Sequence, residues 1–387
     1  MKLFILAGEL SGDKLGAALM SGLKALCPDV TFVGVGGPAM MTEGLVSLFP
    51  MDELSVMGIA EVLPRYRALK RRLHQAAQRV LDDPPDALIT IDSPDFSLRL
   101  AKLVKAKSDI KTIHYVAPSV WAWRPGRAAK MARHVDHVLA LLPFEPPYME
   151  AAGMTCDFVG HPVVTDPVAT DQEVAAFRAD SGIGDAPLLL ALPGSRRSEV
   201  NRLAPVFGEA VDRVAKAVPD LHVVLPAAEP VAGDVRSMAC AWSTQVTVLD
   251  AASDPNGTRR KAAFKAADVA LAASGTVSLE LAANATPMVI AYDMNWLSWQ
   301  IMSRLAKIDT VTLVNLVADA TPIPEFLGPR CTPSLIADAL VHVLSNDAAK
   351  AKQVTAMAET MTALGQGDEP PGMRAARSVL RALERGV

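Results

Sequence analysis

No two of the four cysteines, Cys27, Cys156, Cys240 and Cys331, lie close enough to form a C-x-x-C pair. That spacing argues against a zinc ribbon, a redox dithiol or a disulfide-stapled scaffold, and the thiols read as reduced, mostly buried groups of a cytoplasmic protein. The one close histidine pair, His134 and His137, has no third ligand, and both are expected on a helix surface. Neither sign of charge dominates. The formal net charge of −4 gives no global pull toward nucleic acid. Long apolar runs are also missing: the best candidate, 269–292, is broken by Gly275, Glu280, Asn284 and Pro287 and reads as strand, loop, helix and strand rather than a membrane span. The apolar residues after Lys2 stop at Glu9, too few for a signal-peptide core.

What remains is a globular composition, half hydrophobic and one-fifth charged, over 387 residues. That length suits two domains of roughly 150–200 residues. Short apolar runs alternate with helical patterns, the mark of βα units and parallel sheets. "KLFILAG", "VTFVGVGG", "DALITID", "KTIHYVAP", "HVLALLP" and "CDFVGHP" form a first series. "GHPVVTDPVATDQE" breaks the pattern as a hinge, and "PLLLALPGSR", "LHVVLPAA", "QVTVLD", "DVALAAS" and "TPMVIAY" form a second. The expected division is 1–168, 169–345 and a helical segment 346–387 that crosses back to the first domain or to a partner chain. Ligands of two such sheets are expected between the C-terminal ends of their strands.

The first strand runs into a glycine-spaced turn, Gly8, Gly12 and Gly16. This is neither the G-x-G-x-x-G of a dinucleotide site nor a P-loop, and Glu9 and Asp13 would repel a phosphate that lacked a cation. Two later loops suit an anion better. In "ALPGSRRSEV", Gly194 would let the backbone approach a ligand and Arg196 offers a planar fork of donors for a diphosphate; a capping serine beside a solvated arginine is the alternative. In "LAASGTVSLELA", Ser274, Gly275 and Thr276 open a helix whose free N–H groups favour an anion. Glu280, one turn on, could accept hydrogen bonds from a ribose diol; an ordinary capped helix with a surface glutamate is the alternative. Two such loops in one domain favour a nucleotide-diphosphate site.

In "ALITIDSPDFSLRLAK", Asp92 ends a buried strand as a candidate general base, and Asp95 is expected to cap the next helix. His114 is expected within a strand; His161, near the hinge, is left open. Residues 57–74 set Met57, Ile59, Leu63, Tyr66 and Leu69 beside Arg65, Arg67, Lys70, Arg71 and Arg72. They form either a core helix with a solvated basic face or an edge suited to an anionic bilayer.

Together "AGELSGDKLGA", "FVGVGGPAM", "MGIAEVLP", "IDSPDF", "KTIHYVAPSVWAWRPGR", "LLPFE", "FVGHP", "LPGSRRSEV" and "ASGTVSLE" resemble the lipid-A-disaccharide synthase family. The likeness covers nearly the whole chain and fades after about Leu327. "LVNLVAD" departs from the family's pattern, with Val314 where proline is usual. The resemblance implies an α/β GT-B fold, two Rossmann-like, doubly wound parallel-sheet domains facing a cleft. It implies an inverting transfer from UDP-2,3-diacylglucosamine to 2,3-diacylglucosamine 1-phosphate, giving UDP and the β-1,6-linked disaccharide 1-phosphate. No metal or cofactor is implied. The implied setting is the cytoplasmic face of the inner membrane, against an anionic surface, as a homodimer.

On that resemblance Asp92 would take the acceptor hydroxyl's proton, while Arg196 and the 274–276 helix start would carry the charge growing on the leaving diphosphate. Gly194, Ser195, Arg196, Glu199, Ser274, Gly275, Thr276, Glu280 and Asn315 form the expected donor set. Glu9, Ser11, Gly12 and Asp13 form the acceptor set, with Glu9 a second candidate base. Met57, Ile59, Leu63, Arg65, Arg67, Lys70, Arg71 and Arg72 would face the membrane. Two rivals stand beside this reading: a UDP-GlcNAc 2-epimerase on the same architecture, and a non-catalytic nucleotide-sugar or lipid-binding protein at a membrane surface.

Overall fold

The computed structural model describes residues 1–54, 59–122, 126–295, 299–300 and 308–384, the side chains of 59–64 excepted. The chain divides into two compact units, Met1–Thr165 with Leu364–Val387, and Asp166–Ala363. In the first unit the apolar runs become β1 (Lys2–Ala7), β2 (Thr31–Val35), β3 (Val46–Ser47), β4 (Ala87–Ile91), β5 (Lys111–Tyr115), β6 (His137–Ala140) and β7 (Thr155–Phe158). They form one parallel sheet in the order β3-β2-β1-β4-β5-β6-β7. All five residues of β4 are buried, as are Leu3 through Ala7 of β1. Helices cover both faces of such a sheet, which is why these strands read as continuous apolar runs rather than alternating ones.

The second unit repeats the plan with β8 (Leu188–Leu192), β9 (His222–Ala227), β10 (Val246–Asp250), β11 (Val269–Ala272), β12 (Met288–Tyr292) and β13 (Glu325–Leu327). Its order is β10-β9-β8-β11-β12-β13, again with every pairing parallel. Each sheet reverses its direction of growth once, between β1 and β4 in the first unit and between β8 and β11 in the second. Diverging crossovers at such a reversal leave a crevice beyond the strands' C-terminal ends, the usual ligand position in open α/β sheets. Ala7 pairs with Ile91 and Ile91 with Tyr115, so the three strands of the first reversal end level with one another.

The C-terminal stretch, expected as one segment from 346, divides at 364. Helix Asp347–Ala363 stays with the second unit, where the Gln353 side chain accepts a hydrogen bond from the Met288 N–H at 2.7 Å. Helix Pro371–Glu384 returns to the first unit and crosses helix Leu10–Leu26 at two glycines. A Cβ on Gly22 would lie 2.7 Å from the Gly372 carbonyl oxygen, and one on Gly372 would lie 2.6 Å from that of Ala18. The backbones meet because neither glycine has a side chain.

The same helix explains a departure from expectation. His137 begins β6 and is buried, rather than sitting on a helix surface. Its Nε2 lies 2.8 Å from Ser378 Oγ, and that hydroxyl donates to Asp157 at 2.6 Å. Arg381 pairs with the same carboxylate at 2.8 Å. The C-terminal helix is thus fastened to β6 and β7 by a polar contact that no local pattern encodes.

Candidate active site

In the first unit the chain leaves β1 at Gly8 and β4 at Asp92, on either side of the reversal. The two exits touch. A Cβ on Gly8 would lie 2.6 Å from Ser93 Oγ, so only glycine permits this approach. Asp92 and Ser93 both hold left-handed backbone, at φ 48 and 43, a costly arrangement for consecutive non-glycine residues. Their main chain is pinned to maintain it. Asp92 N–H donates to the Tyr115 carbonyl at 2.9 Å, and Ser97 Oγ donates to the Asp92 carbonyl at 2.7 Å. Ser93 occupies the N-cap position of helix Pro94–Lys105, with Pro94 opening the first turn. Asp95 lies within that turn instead of capping it, where its charge favours the helix N-terminus. No hydrogen bond ties the Asp92 carboxylate among the described residues. The backbone is locked while the half-buried carboxylate stands at the sheet's edge.

Across from it, Glu9 takes the N-cap position of helix Leu10–Leu26 and is half-buried, while Ser11 is exposed. Gly12 packs beneath them against Ala7 and Ile91. Gly16 faces Met40, whose sulfur would sit 2.5 Å from a Cβ. The glycine spacing therefore serves close helix-to-sheet packing.

Asp13 is a correction. It was expected to grip acceptor hydroxyls, yet it is only 2% exposed and both of its oxygens are taken. Oδ1 accepts from the N–H groups of Gly37 at 2.8 Å and Met40 at 3.1 Å, and Oδ2 accepts from Ala39 at 2.9 Å. The side chain closes the N-terminus of the short helix Pro38–Thr42, so it joins "GELSGD" to "FVGVGGPAM" rather than to a ligand.

The second unit places its two loops at its own reversal: 193–196 follow β8, and 273–276 follow β11. Gly194 has φ 118, and a Cβ there would meet Glu199 Cβ at 2.7 Å. Glu199 braces this turn from inside the helix Arg197–Ala217. Its carboxylate accepts from Ser195 N–H at 3.3 Å and from Arg196 Nη1 at 3.1 Å. Arg196 keeps 59% of its side chain exposed, so the guanidinium remains within reach of an anion. Gly275 has φ 146, and a Cβ there would meet nothing within 4 Å, so its surroundings are open. Ser274 Oγ donates to the Val311 carbonyl at 3.5 Å.

Two expected donor contacts are engaged elsewhere. Glu280 pairs with Arg260 at 2.6 Å. Asn315 is 1% exposed; its Nδ2 donates to the Ile323 carbonyl at 3.0 Å, and its Oδ1 accepts from Ile323 N–H at 3.0 Å. Its amide holds the strand approach to β13, so any influence on a ligand is indirect.

A family model described as lipid-A-disaccharide synthetase matches residues 3–374. The lipid-A-disaccharide synthase of Ruegeria pomeroyi is 61% identical over 99% of this chain and 96% of its own length. The chain belongs to this family. The synthase of Rhodospirillum centenum is 46% identical, covering 100% and 95%. In fold, the chain resembles the UDP-GlcNAc 2-epimerase of Neisseria meningitidis bound to UDP-GlcNAc, with a TM-score of 0.67 at 12% identity and full coverage of both chains. The architecture is that of a GT-B protein.

Family membership draws attention to Glu145, which the "LLPFE" motif contains but for which sequence reasoning found no role. It follows β6 and is 3% exposed. It accepts from the N–H groups of Leu141 and Leu142 at 3.1 and 3.0 Å and from Trp121 Nε1 at 3.4 Å. Burial pushes its carboxyl up to about 7, against the pull of those donors. Trp121 meets Phe144 edge-on at 5.2 Å, so "SVWAW" and "LLPFE", distant in sequence, share one cluster. A glutamate directly before two prolines was the available signal, but nothing local marked it as buried.

Two buried histidines of this unit, His114 and His161, stay neutral at neutral pH. His114 is buried with Nδ1 2.8 Å from Thr90 Oγ1; burial, with Arg127 nearby, brings it down to about 4. His161 is brought down to about 4 by burial alone, and its Nδ1 accepts from Val163 N–H. Among the described residues no group of three His, Cys, Asp or Glu side chains is placed to hold a metal ion.

The basic helix Ile59–Asp82 presents Arg65, Arg67, Lys70 and Arg71 to solvent. Arg72 turns inward instead: it pairs with both Glu53 oxygens at 2.7 and 2.5 Å and lies 4.8 Å from the Phe49 ring centre. Met57 lies outside the described residues, as do the side chains of Ile59 and Leu63. Among the described residues no helix is long and apolar enough to cross a membrane.

Proposed function

We propose that this chain transfers 2,3-diacylglucosamine from UDP-2,3-diacylglucosamine to 2,3-diacylglucosamine 1-phosphate, forming UDP and the β-1,6-linked disaccharide 1-phosphate of lipid A synthesis. One observation carries the assignment of roles: both sheet reversals end in the loops that the chemistry requires. The first offers Asp92 and Glu9, carboxylates suited to a sugar hydroxyl. The second offers Arg196, Ser195 and the 274–276 turn, donors suited to a diphosphate.

In an inverting transfer the acceptor 6-hydroxyl attacks the anomeric carbon from the face opposite UDP. Attack requires the reacting atoms to come within roughly 3–3.5 Å. Asp92 accepts the hydroxyl proton as the bond forms, since an alcohol is a weak nucleophile until it loses that proton. Negative charge then gathers on the departing β-phosphate. Arg196 meets it with a planar pair of N–H donors, and the backbone N–H groups after Gly275 add fixed dipoles that need no rearrangement. Glu199 holds Arg196 and the Ser195 amide in place for this.

The exposed cations Arg65, Arg67, Lys70 and Arg71 suit a peripheral position on the anionic inner face of the inner membrane, each contributing about 1 kcal/mol near such a surface. Sedimentation with vesicles of phosphatidylglycerol should retain the protein, and replacing all four with Gln should release it. A homodimer completes the reading, checked by sedimentation velocity.

The activity test combines both acylated substrates in EDTA. The expected result is UDP release matched by disaccharide formation. UDP release without disaccharide, or a strict need for a divalent ion, would overturn the mechanism. UDP-GlcNAc given alone should be returned unchanged; appearance of the manno isomer would favour an epimerase.

A further inference from the structure

Glu325 opens β13, directly beside Ile290 of β12. Its carboxylate collects donors from one short segment. Thr310 Oγ1 donates at 2.5 Å, Thr312 N–H at 2.7 Å and Val311 N–H at 3.2 Å, all to Oε1, and Asn315 Nδ2 approaches the same oxygen at 3.5 Å. Val311 N–H also approaches Oε2 at 3.4 Å. No lysine or arginine pairs with this carboxylate among the described residues, and the partners they supply are backbone and side-chain dipoles. Asn315 closes the knot by donating to Thr310 Oγ1 at 3.2 Å while clamping both backbone groups of Ile323.

One carbonyl of the held segment points outward from the knot. Val311 C=O accepts the Ser274 hydroxyl at 3.5 Å. The contact is a long one, and it turns the Ser274 hydroxyl toward the 310–312 segment, tying the position of the turn to that segment. The N–H groups after Gly275 are donors for an anion, and their aim depends on where Val311 is fixed.

We propose that Glu325 is a positioning residue for the diphosphate-binding turn, acting through residues 310–312 on Ser274. This rests on the reading that the 274–276 turn and Arg196 bind the UDP diphosphate. A carboxylate suits the task because two adjacent backbone N–H groups and a hydroxyl converge on it, and bonds to an ionised acceptor are shorter and stronger than those to a neutral one. A glutamine would keep the size, lose the charge and bring an NH₂ toward groups that are themselves donors.

The experiment measures UDP affinity by calorimetry for the full chain and for Glu325→Gln, Thr310→Val and Arg196→Ala, with donor and acceptor KM and thermal midpoints alongside. Glu325→Gln should weaken UDP roughly tenfold or more, the loss typical of a charge-assisted contact, and raise the donor KM while leaving the acceptor KM unchanged. Thr310→Val, which keeps Glu325, should move the same two quantities in the same direction by less, and it carries the test if Glu325→Gln fails to fold. If Arg196→Ala weakens UDP but Glu325→Gln and Thr310→Val leave it unchanged, the proposal fails and the site reading survives. If none of the three weakens UDP, the site reading fails and takes the proposal with it. A lowered thermal midpoint with equal rises in both KM values would reduce Glu325 to a structural role and overturn the proposal.

Discussion

The role of base proposed for Asp92 can be separated from stability, because among the described residues the fold holds its backbone and not its carboxylate. The perturbations are Asp92→Asn and Asp92→Gly. At φ 48 asparagine is among the side chains that tolerate left-handed backbone best, and glycine enters it freely. Glycine relieves strain of about 1 kcal/mol but adds a similar entropy to the unfolded chain, so the two effects nearly cancel. The Tyr115 and Ser97 contacts involve only the Asp92 main chain and survive both substitutions. Stability should therefore stay within about 1 kcal/mol, a shift of roughly 2–4 °C for units of this size. Turnover should fall about 10²- to 10⁴-fold, or about 3–5 kcal/mol of barrier, the usual contribution of a positioned base. Acceptor KM should change little, since the lost interaction develops only as the proton moves. The assays are disaccharide formation under saturating substrates and a thermal melt of each variant. Near-native turnover in Asp92→Asn with an unchanged melt would refute the base assignment. A large destabilisation by Asp92→Gly would refute the account of the strained turn.

Asp13→Ala should destabilise the first unit by about 3–5 kcal/mol, because a buried cluster of three N–H donors loses its charged acceptor; urea titration reads this, and a loss under 1 kcal/mol would contradict it. Gly372→Val should unfold or displace the C-terminal helix, since a Cβ would already sit 2.6 Å from the Ala18 carbonyl oxygen; a normal melt would count against the crossing. Glu145, raised to about 7 from 4.5, binds its proton more tightly when folded. The stability this adds is complete below about 4.5 and is lost as pH rises through about 7, an effect of order 3 kcal/mol. Glu145→Gln should thus gain stability over the parent chain between pH 5 and 8, a difference read from paired melts; a pH-independent difference would contradict it. His114 and His161, lowered to about 4, work in the other sense: their contribution is present above about 6.5 and lost as pH falls through about 4, and acid titration of the parent chain should show that decline.

The strand plan was legible because buried parallel strands announce themselves as unbroken apolar runs, and "LFILA", "ALITI" and "LLLAL" could not have been much else. The positions of Asp92, Arg196 and Ser274 were legible for the same reason, as each lies within four residues of a strand end. Interactions between distant segments were not. Asp13 sits in a turn whose local chemistry suggests a ligand, and only the tertiary fold delivers the backbone of Gly37, Ala39 and Met40 to it. Arg72 looks like its basic neighbours until Glu53 and Phe49 arrive from the preceding loop. His137 carries two readings in the sequence, the first residue of the apolar run "HVLALLP" and a helix-surface neighbour of His134, and the strand reading is the one the fold adopts. In each case a polar side chain with a strong distant partner overrode its local appearance.

A crystal structure of the full chain with UDP bound tests the central claim most directly. The β-phosphate should lie within hydrogen-bond distance of the Arg196 guanidinium and of the backbone N–H groups of 275–276. A diphosphate seated instead on the turn at Gly8 and Gly12, with Arg196 still paired only to Glu199, would contradict the account.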